Sequence, residues 1–306
     1  MNARETVEFQ LWDSRPPLYS SCFIILQPSS AQRDALTVAN REECSFFDKI
    51  AAAKLGIPIA HVEAGLRSFD RSMPEEINRV VTDALADHLF VTEMDEVENL
   101  LKEGRPRERI YFVGNVMIDA LEQFLPVAQK SPIAEELDLV SNGSFQSFGL
   151  VTLHRPSNVD SNATLVNLVR VLECVADMVP LIFPVHPRTR QKLSQLGVKD
   201  SAKLRLVDPL GYLEFICRLS QARIVLTDSG GVQEETTALG IPCLTLRENT
   251  ERPVTVTRGT NHIVGQDFEK IKAKAREILD GNSKKGERPE LWDGHAAERI
   301  VEILLK

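Results

Sequence analysis

The sequence predicts an α/β protein made of two doubly wound, Rossmann-like units, of which the first is incomplete. Short apolar runs alternate with segments of helical length, and this alternation occurs twice along the 306-residue chain. The apolar runs are nearly continuous, which is typical of parallel strands buried on both faces of a sheet. A polar, proline-containing stretch, residues 126–147, separates the two alternations and is predicted to be a linker.

The first alternation starts near residue 45 and contains three clear strands. Its predicted elements are helix 45–56, strand 58–64, helix 74–88, strand 89–92, helix 94–104, strand 110–113 and helix 116–125. Before residue 45, only residues 22–26 have the pattern of a strand. Because central strands of the sheet are missing from this pattern, we expect an open apolar sheet edge in this unit and a tendency to aggregate.

The second alternation contains six strands, enough for a complete Rossmann-like unit. Its predicted strands are 150–153, 181–185, 204–207, 224–227, 243–246 and 261–264. Its predicted helices are 164–178, 189–196, 212–219, 232–239 and 268–279, followed by an amphipathic tail over 291–305. We therefore predict a first domain over residues 1–125, a second over 126–290, and a C-terminal helix over 291–306 that packs back toward the first domain.

Composition and charge exclude several classes of protein. Lys and Arg number 36 and Asp and Glu number 44, so the net charge of −8 argues against nucleic-acid and anionic-membrane partners. No apolar run approaches the ~18 residues of a membrane helix, and the N-terminus has no signal-peptide pattern. The five cysteines form no CxxC pair and have no histidines at zinc spacing. These features indicate a cytoplasmic protein with reduced thiols and no metal.

Residues 227–231 (TDSGG) form the first candidate binding site. They end a predicted strand and open a helix, where free backbone N–H groups and the helix dipole attract phosphate. Gly230 and Gly231 allow a ligand to approach the backbone closely, and the Ser229 hydroxyl adds a donor. The alternative is a plain strand-to-helix turn capped by Ser229.

Two charged residues near this motif suit other parts of a nucleotide. Glu235, on the first turns of the helix, can accept hydrogen bonds from both hydroxyls of a ribose, although an acidic residue there also complements the helix dipole. Arg252 lies in a charged loop after strand 243–246 and can hold a diphosphate with its fixed fork of donors. For Arg252 the alternative is a solvated loop.

Two histidines stand at strand ends, where catalytic groups of open α/β sheets collect. His154 and Arg155 follow strand 150–153, and His186 follows strand 181–185. Histidine titrates near neutral pH and can move a proton, so both histidines are candidates for acid–base work. A structural role is the alternative for each.

A group of carboxylates marks the first unit. Glu63 lies between His61 and Arg67 in the motif HVEAGLR, and Glu75 and Glu76 start the next helix. Carboxylates whose environments separate their pKa values can act as acid and base. The alternative is a charge pair at a helix N-terminus together with one buried ion pair.

These motifs carry a family resemblance when they are taken together. In chain order they are HVEAGLRS, MPEEINR, FVGNVMIDAL, VTLHRPSNVD, PVHPRT, LTDSGGVQEE and RENTERPVTV. They resemble the non-hydrolysing UDP-N-acetylglucosamine 2-epimerases, from about residue 48 to the C-terminus. The resemblance implies two Rossmann-like domains that face each other across a cleft, as in GT-B glycosyltransferases.

The resemblance also implies an activity. It is the reversible inversion at C2 of UDP-N-acetylglucosamine to give UDP-N-acetylmannosamine, through anti elimination of UDP to a 2-acetamidoglucal and re-addition. No metal, nicotinamide or other cofactor is implied. A hydrolysing 2-epimerase, a GT-B glycosyltransferase and a UDP-sugar-binding remnant with little turnover stay open as alternatives, as do the substituents of the sugar.

Roles for individual residues follow from the same resemblance. It places Glu63, Glu75 and His154 around the sugar and diphosphate, without indicating which of them removes the C2 proton. It implies a uracil contact by Phe215 and a ribose contact by Glu235. The diphosphate contacts that it implies are Ser229, Gly230, Gly231 and Arg252.

Two further expectations come from the resemblance. Arg155 and His186 are similar to positions near a second UDP-sugar site that activates bacterial members, and the family usually forms homodimers.

Residues 1–44 depart from the pattern, because they contain neither the basic first loop nor the later GD-type loop with a catalytic Asp. We therefore expect residues 1–44 to be unrelated sequence and turnover to be weaker than UDP binding.

Overall fold

The computed structural model describes residues 23–26, 36–39, 46–71, 73–130, 140–141, 144–145 and 147–306. A five-stranded sheet and a six-stranded sheet, each packed against helices, form two Rossmann-like α/β halves. The predicted fold class is therefore confirmed. In the described part of the chain, no helix has both the length and the apolar character that a bilayer crossing requires.

The first half carries the five-stranded sheet, in the order β2-β1-β3-β4-β5. Its strands are β1 (Phe23–Leu26), β2 (Leu36–Ala39), β3 (Ile59–Val62), β4 (His88–Val91) and β5 (Ile110–Phe112). Its helices are α1 (Phe46–Lys54), α2 (Pro74–Leu85), α3 (Met94–Lys102) and α4 (Val116–Gln129). Strands β3, β4 and β5 pair in parallel, as the apolar runs predict.

Two features of the first sheet correct the sequence prediction. The expected open edge at β3 is wrong, because β1 pairs with β3 in an antiparallel register that places Ile24 opposite Ala60. Strand β2 was not predicted, and it pairs antiparallel with β1 as the new edge of the sheet. A four-residue edge strand between charged segments is too short to show a periodic apolar pattern.

The second half carries the six-stranded sheet, which is parallel throughout, in the order β10-β9-β8-β11-β12-β13. Its strands are β8 (Gly149–Thr152), β9 (Leu181–Pro184), β10 (Leu204–Val207), β11 (Ile224–Thr227), β12 (Cys243–Thr245) and β13 (Asn261–Ile263). They follow a two-stranded ribbon of β6 (Val140–Ser141) and β7 (Ser144–Phe145). All six predicted strands are confirmed to within two residues.

Helices cover both faces of this sheet, as a doubly wound fold requires. They are α5 (Pro156–Val159), α6 (Asn162–Ala176), α7 (Pro187–Gln195), α8 (Tyr212–Gln221), α9 (Gly230–Leu239), α10 (Pro253–Thr257) and α11 (Phe268–Leu279). Leucines and valines of α6 and isoleucines of α11 pack on one face, and apolar residues of α8 and α9 pack on the other. The chain order reverses between β8 and β11, and ligands of such sheets bind at the carboxyl ends beside this switch point.

Helices α4 and α12 (Ala296–Leu304) tie the two halves together. Helix α4 continues through Pro126 to Gln129, so the prediction that a linker starts at residue 126 is wrong. The buried side chain of Ile118 in α4 packs with Ile216 of α8. Helix α12 returns to the first sheet, where Ile300 packs with Phe90, among other residues.

Candidate active site

Asp228 holds together the two loops that flank the switch point. It is fully buried and accepts hydrogen bonds from the backbone N–H groups of His154 (3.2 Å) and Arg155 (3.0 Å) and from Asn158 Nδ2 (3.0 Å). His154 Nδ1 lies 3.0 Å from Asp228 Oδ1. Although burial opposes ionisation, His154 and Asn158 hold the pKa of Asp228 below its ordinary value. The exposed His154 ring is thereby oriented by a buried carboxylate.

The N-terminus of α9 comes directly after Asp228 in the chain. Ser229 is the N-cap, and its Oγ accepts a hydrogen bond from Val232 N at 3.5 Å, which agrees with the capping alternative and leaves the hydroxyl proton for another acceptor. Gly230 is required for a close approach, because a Cβ there would lie 3.0 Å from Glu251 Oε1. The carboxylate of Glu251 therefore sits against the positive end of α9.

Three arginines surround Glu251. The carboxylate lies 2.8 Å from Arg247 Nη2, 3.2 Å from Arg155 Nη2 and 3.8 Å from Arg79 Nη2. Although burial opposes ionisation, Arg247, Arg252 and Arg79 hold the pKa of Glu251 well below its ordinary value. Because Arg79 belongs to α2, this cluster joins the first half to the second.

Arg252 makes a second connection between the halves. Its Nη2 donates to Glu63 Oε2 at 3.3 Å, and its Nε lies 2.7 Å from Glu234 Oε1. The same Glu234 oxygen accepts a hydrogen bond of 2.8 Å from Asn115 Nδ2, at the start of α4. Arg252 is only 5% exposed, so the alternative of a solvated loop is wrong for this residue.

Glu63 reaches Arg252 from a strained backbone position. Its φ is 63°, in the left-handed region that costs a residue other than glycine about 1–3 kcal/mol. Beside it, buried Asp83 accepts hydrogen bonds from Gly65 N (3.1 Å) and Arg67 Nη2 (2.6 Å) and lies 2.5 Å from His61 Nδ1. Burial opposes ionisation of Asp83, but His61 and Arg67 hold its pKa below the ordinary value. His61 and Arg67 thus support the loop that carries Glu63.

The structure separates the two adjacent glutamates of α2. The Glu76 carboxylate accepts hydrogen bonds from Ser68 N (2.8 Å), Ser68 Oγ (2.9 Å) and Phe69 N (3.0 Å), so it caps a loop. Glu75 is half-buried, and no hydrogen bond to its side chain occurs within the part of the chain that the structure describes. Of the two, Glu75 retains a carboxylate for a ligand.

Glu235 of α9 and Phe215 of α8 lie where these two helices face each other. Glu235 is fully buried beside the hydroxyl of Tyr212. Burial raises the pKa of Glu235 to about 8, and the Tyr212 hydroxyl opposes this rise only in part. Phe215, one turn further along α8, is half-buried among the apolar side chains that join α8 to α4 and α9.

His154 and His186 share a cavity of about 260 Å³ at the carboxyl ends of β8 and β9. His186 is the N-cap of α7 and its Nδ1 accepts a hydrogen bond from Arg188 N at 3.3 Å. Arg155, which the sequence analysis grouped with His186, turns its guanidinium toward Glu251 instead. Within the described residues, no three His, Cys, Asp or Glu side chains are arranged to hold a metal ion.

Comparison with known proteins supports the family that the motifs indicate. The sequence profile of the family described as UDP-N-acetylglucosamine 2-epimerase matches residues 36–305. The chain belongs to the UDP-N-acetylglucosamine 2-epimerase family. It is therefore an enzyme of that family. The match includes residues 36–44, which corrects the expectation that family-like sequence begins only after residue 44.

Individual relatives of the family are similar over most of their length. A UDP-N-acetylglucosamine 2-epimerase of Methanocaldococcus jannaschii is 43% identical over 279 residues, covering 89% of this chain and 75% of the relative. A UDP-2,3-diacetamido-2,3-dideoxy-D-glucuronate 2-epimerase of Pseudomonas aeruginosa is 42% identical over 260 residues, covering 84% of this chain and 70% of the relative.

Solved structures of the family superpose on the chain. The M. jannaschii epimerase in complex with UDP-GlcNAc and UDP aligns with a TM-score of 0.76 and 42% identity, over 84% of this chain and 72% of that one. The Neisseria meningitidis epimerase bound to UDP-GlcNAc aligns with a TM-score of 0.75 and 29% identity, over 85% and 73%. The two halves therefore have the GT-B arrangement that the resemblance implied.

Several residues that organise this epimerase-family site had no individual role in the sequence prediction, although Asp228 lies inside the predicted motif at 227–231. They are Asp83, Asn115, Asp228 and Glu234. A signal was present for Asn115, because Asn between a strand and a helix is a common N-cap. Nothing in the sequence indicates that Asn115 meets Glu234, 119 residues away.

Proposed function

We propose that the chain catalyses the reversible C2 epimerisation of UDP-N-acetylglucosamine to UDP-N-acetylmannosamine, by elimination and re-addition of UDP. One observation carries the proposal. Glu63, a carboxylate of the first half, contacts Arg252 of the second half at 3.3 Å. A candidate base for the sugar therefore lies next to a candidate cation for the diphosphate. Relatives solved with UDP-GlcNAc support the choice of substrate.

The second half supplies the proposed UDP site. Phe215 contacts the uracil and Glu235 accepts from the ribose hydroxyls. The diphosphate binds at the N-terminus of α9, where Ser229, Gly230 and Gly231 are all buried. Arg252 Nη1 is buried and has no hydrogen-bond partner among the described residues, so a phosphate oxygen would satisfy it.

The proposed chemistry needs charge stabilisation more than a strong base. In the elimination the C2–H bond breaks, its electrons form the C1=C2 double bond, and the C1–O bond electrons leave with UDP. Because the C2 proton is weakly acidic, stabilising the departing diphosphate with Arg252 and the α9 dipole lowers the barrier. Re-addition after protonation on the other face reverses each step. No net oxidation occurs, so the route needs no nicotinamide.

Glu63, Glu75 and His154 are the proposed acid–base residues. The three come from the loop after β3, the first turn of α2 and the loop after β8. Glu63 is buried, Glu75 is half-buried and His154 is exposed and oriented by Asp228. Because the three side chains come from different loops and helices, they can act on different faces of the sugar, as a two-base epimerisation requires.

Further parts of the proposal rest on the family resemblance. We propose that Arg155 and His186 lie near a second UDP-sugar site that activates the enzyme; the cavity lined by His186 supports this for one of the two residues. We also propose a cytoplasmic homodimer, and a division of the chain after α4, which ends at Gln129 and not at residue 125, and again at residue 290.

Proton NMR of UDP-N-acetylglucosamine incubated with the chain tests the function. The expected product is UDP-N-acetylmannosamine in equilibrium with the substrate, with Glu63→Gln as the inactive control. Release of free N-acetylmannosamine and UDP would instead show a hydrolysing epimerase. An unchanged spectrum, for a chain that binds UDP in calorimetry, would contradict epimerisation and leave a binding protein.

A further inference from the structure

Glu234 occupies the point where the two halves are joined by polar contacts. A single oxygen, Oε1, accepts from Asn115 Nδ2 at 2.8 Å and lies 2.7 Å from Arg252 Nε. The side chain is fully buried, so neither contact is exchanged for water. Its second oxygen, Oε2, is buried without a hydrogen-bond partner among the described residues.

Asn115 fixes the orientation of this junction. Its Oδ1 accepts from Met117 N at 2.8 Å as the N-cap of α4, so its Nδ2 is the end that faces Glu234. Turning the amide over would lose the cap and place an oxygen against the Glu234 carboxylate. Asn115 is itself fully buried, so the start of α4 presents the Nδ2 donor to Glu234 in a fixed orientation.

The guanidinium of Arg252 has three nitrogens, and Glu234 lies against one of them, Nε. A guanidinium is planar, so fixing Nε fixes both terminal nitrogens. Nε lies 2.7 Å from Glu234 Oε1 as an ion pair that lacks hydrogen-bond geometry, Nη2 donates to Glu63 at 3.3 Å, and Nη1 is buried without a protein acceptor within the described residues. That free edge is available for an anionic ligand.

We propose that Glu234, anchored by Asn115, is a positioning residue that directs Arg252 toward the diphosphate and toward Glu63. It acts on the ligand only through Arg252, unlike Glu235, which contacts the ribose in the proposed function. The inference rests on that function, since it takes the diphosphate of UDP as the ligand of Arg252.

The positioning role depends on the 2.7 Å contact of Glu234 Oε1 with Arg252 Nε and on the hydrogen bond that the same oxygen accepts from Asn115, because Nε donates no hydrogen bond within the described residues. Burial raises its pKa to about 8, with Arg252 opposing the rise and Glu63 adding to it. A carboxyl that holds a proton on Oε2 still accepts at Oε1. Glutamine has the same shape and can accept at that oxygen, with its NH₂ group in the place of Oε2.

The test compares Glu234→Ala with Glu234→Gln in calorimetric binding of UDP and of uridine at pH 7. Glu234→Ala removes the buried carboxyl that lies against Arg252 Nε, and contacting residues are coupled strongly enough that UDP should bind about ten-fold more weakly. Uridine has no diphosphate, so its affinity should stay unchanged. Glu234→Gln should bind UDP like the unaltered chain. Glu235→Gln should instead weaken both ligands.

A double-mutant cycle with Arg252 isolates the coupling. In an Arg252→Ala background, Glu234→Ala should cause no further loss of UDP affinity. Independent effects of the two changes would overturn the proposal, as would equal weakening of UDP and uridine by Glu234→Ala. Asp119→Ala is the matched stability control, since Asp119 lies on α4 and holds the start of α12 through Ala297 N at 2.6 Å. It should lower the thermal midpoint without changing UDP affinity.

Glu234→Asp covers the case in which the alanine variant does not fold. The shorter side chain keeps the carboxyl but withdraws it from Arg252, so UDP should weaken while uridine does not; unchanged UDP binding would contradict the proposal. A chain that binds UDP with the expected cycle but shows no epimer in the NMR assay would reject the proposed function and keep this inference. Epimer formation together with additive effects of the Glu234 and Arg252 changes would keep the proposed function and reject this inference.

Discussion

The two halves of the molecule present site residues to the cleft by different means. In the second half, a fully parallel sheet ends in the motif at 227–231, and α9 begins immediately after it. In the first half, three parallel strands are completed by an antiparallel pair, and Glu63 stands on a strained backbone. Asp83 and its partners hold that backbone in place. The UDP end of the proposed site thus depends on a local motif, whereas the sugar end depends on a buried polar network.

The largest expected effect is the loss of turnover in Glu63→Gln, which tests whether the sugar end and the UDP end of the site act separately. Glu63→Gln removes a positioned acid–base group, so turnover should fall by about 10²–10⁴-fold. UDP affinity should change little, because the proposed UDP contacts belong to the second half. The NMR assay and calorimetry measure the two quantities on the same preparation. A loss of UDP affinity as large as the loss of turnover would show that Glu63 of the first half also contributes to UDP binding.

Breaking the buried network of the first half should cost stability. Asp83→Ala leaves Arg67 and His61 without their shared carboxylate partner, and loss of one member of a buried ion pair costs about 3–5 kcal/mol. Urea unfolding measures this cost.

Glu98→Ala is the control for Asp83→Ala, because the Glu98–Lys102 pair is on the surface of the same half and contributes well under about 1 kcal/mol. If Asp83→Ala unfolds no more easily than Glu98→Ala, the network does not support the Glu63 loop. In folded Asp83→Ala protein, turnover should fall more than UDP affinity.

The same difference between the halves explains what sequence could predict. In the second half, the apolar runs are nearly continuous and the glycines at 230 and 231 mark the helix start, so the strands and the start of α9 were both predicted. In the first half, β2 is a four-residue edge strand, and its pairing with β1 has no local signal. Pro126 was interpreted as the start of a linker, yet α4 continues through it because the helix is packed against α8 and α9.

Long-range polar contacts were beyond sequence reasoning for a further reason. Residue types and spacing identified Glu63 and Arg252 as candidates but placed them in separate motifs. Their contact, and the role of Glu234 beside them, depends on how the halves meet. Likewise, His61 and Arg67 lie in the same motif as Glu63, and only the structure shows that Asp83 engages both.

The most gradual expected effect is a pH dependence that comes from the second half. Burial raises the pKa of Glu235 from 4.5 to about 8, so between these values the folded chain holds a proton that the unfolded chain has lost. Raising the pH through this window therefore favours unfolding, by at most about 1.4 kcal/mol per pH unit for this group. Below the lower value both states are protonated, and the effect vanishes. Glu235→Gln removes the titrating group, so its free energy of unfolding should fall less steeply than that of the unaltered chain between pH 5 and 8. Parallel curves for the two proteins in urea unfolding would show that the Glu235 carboxyl ionises normally in the folded state, and that the second half carries no buried proton at this position.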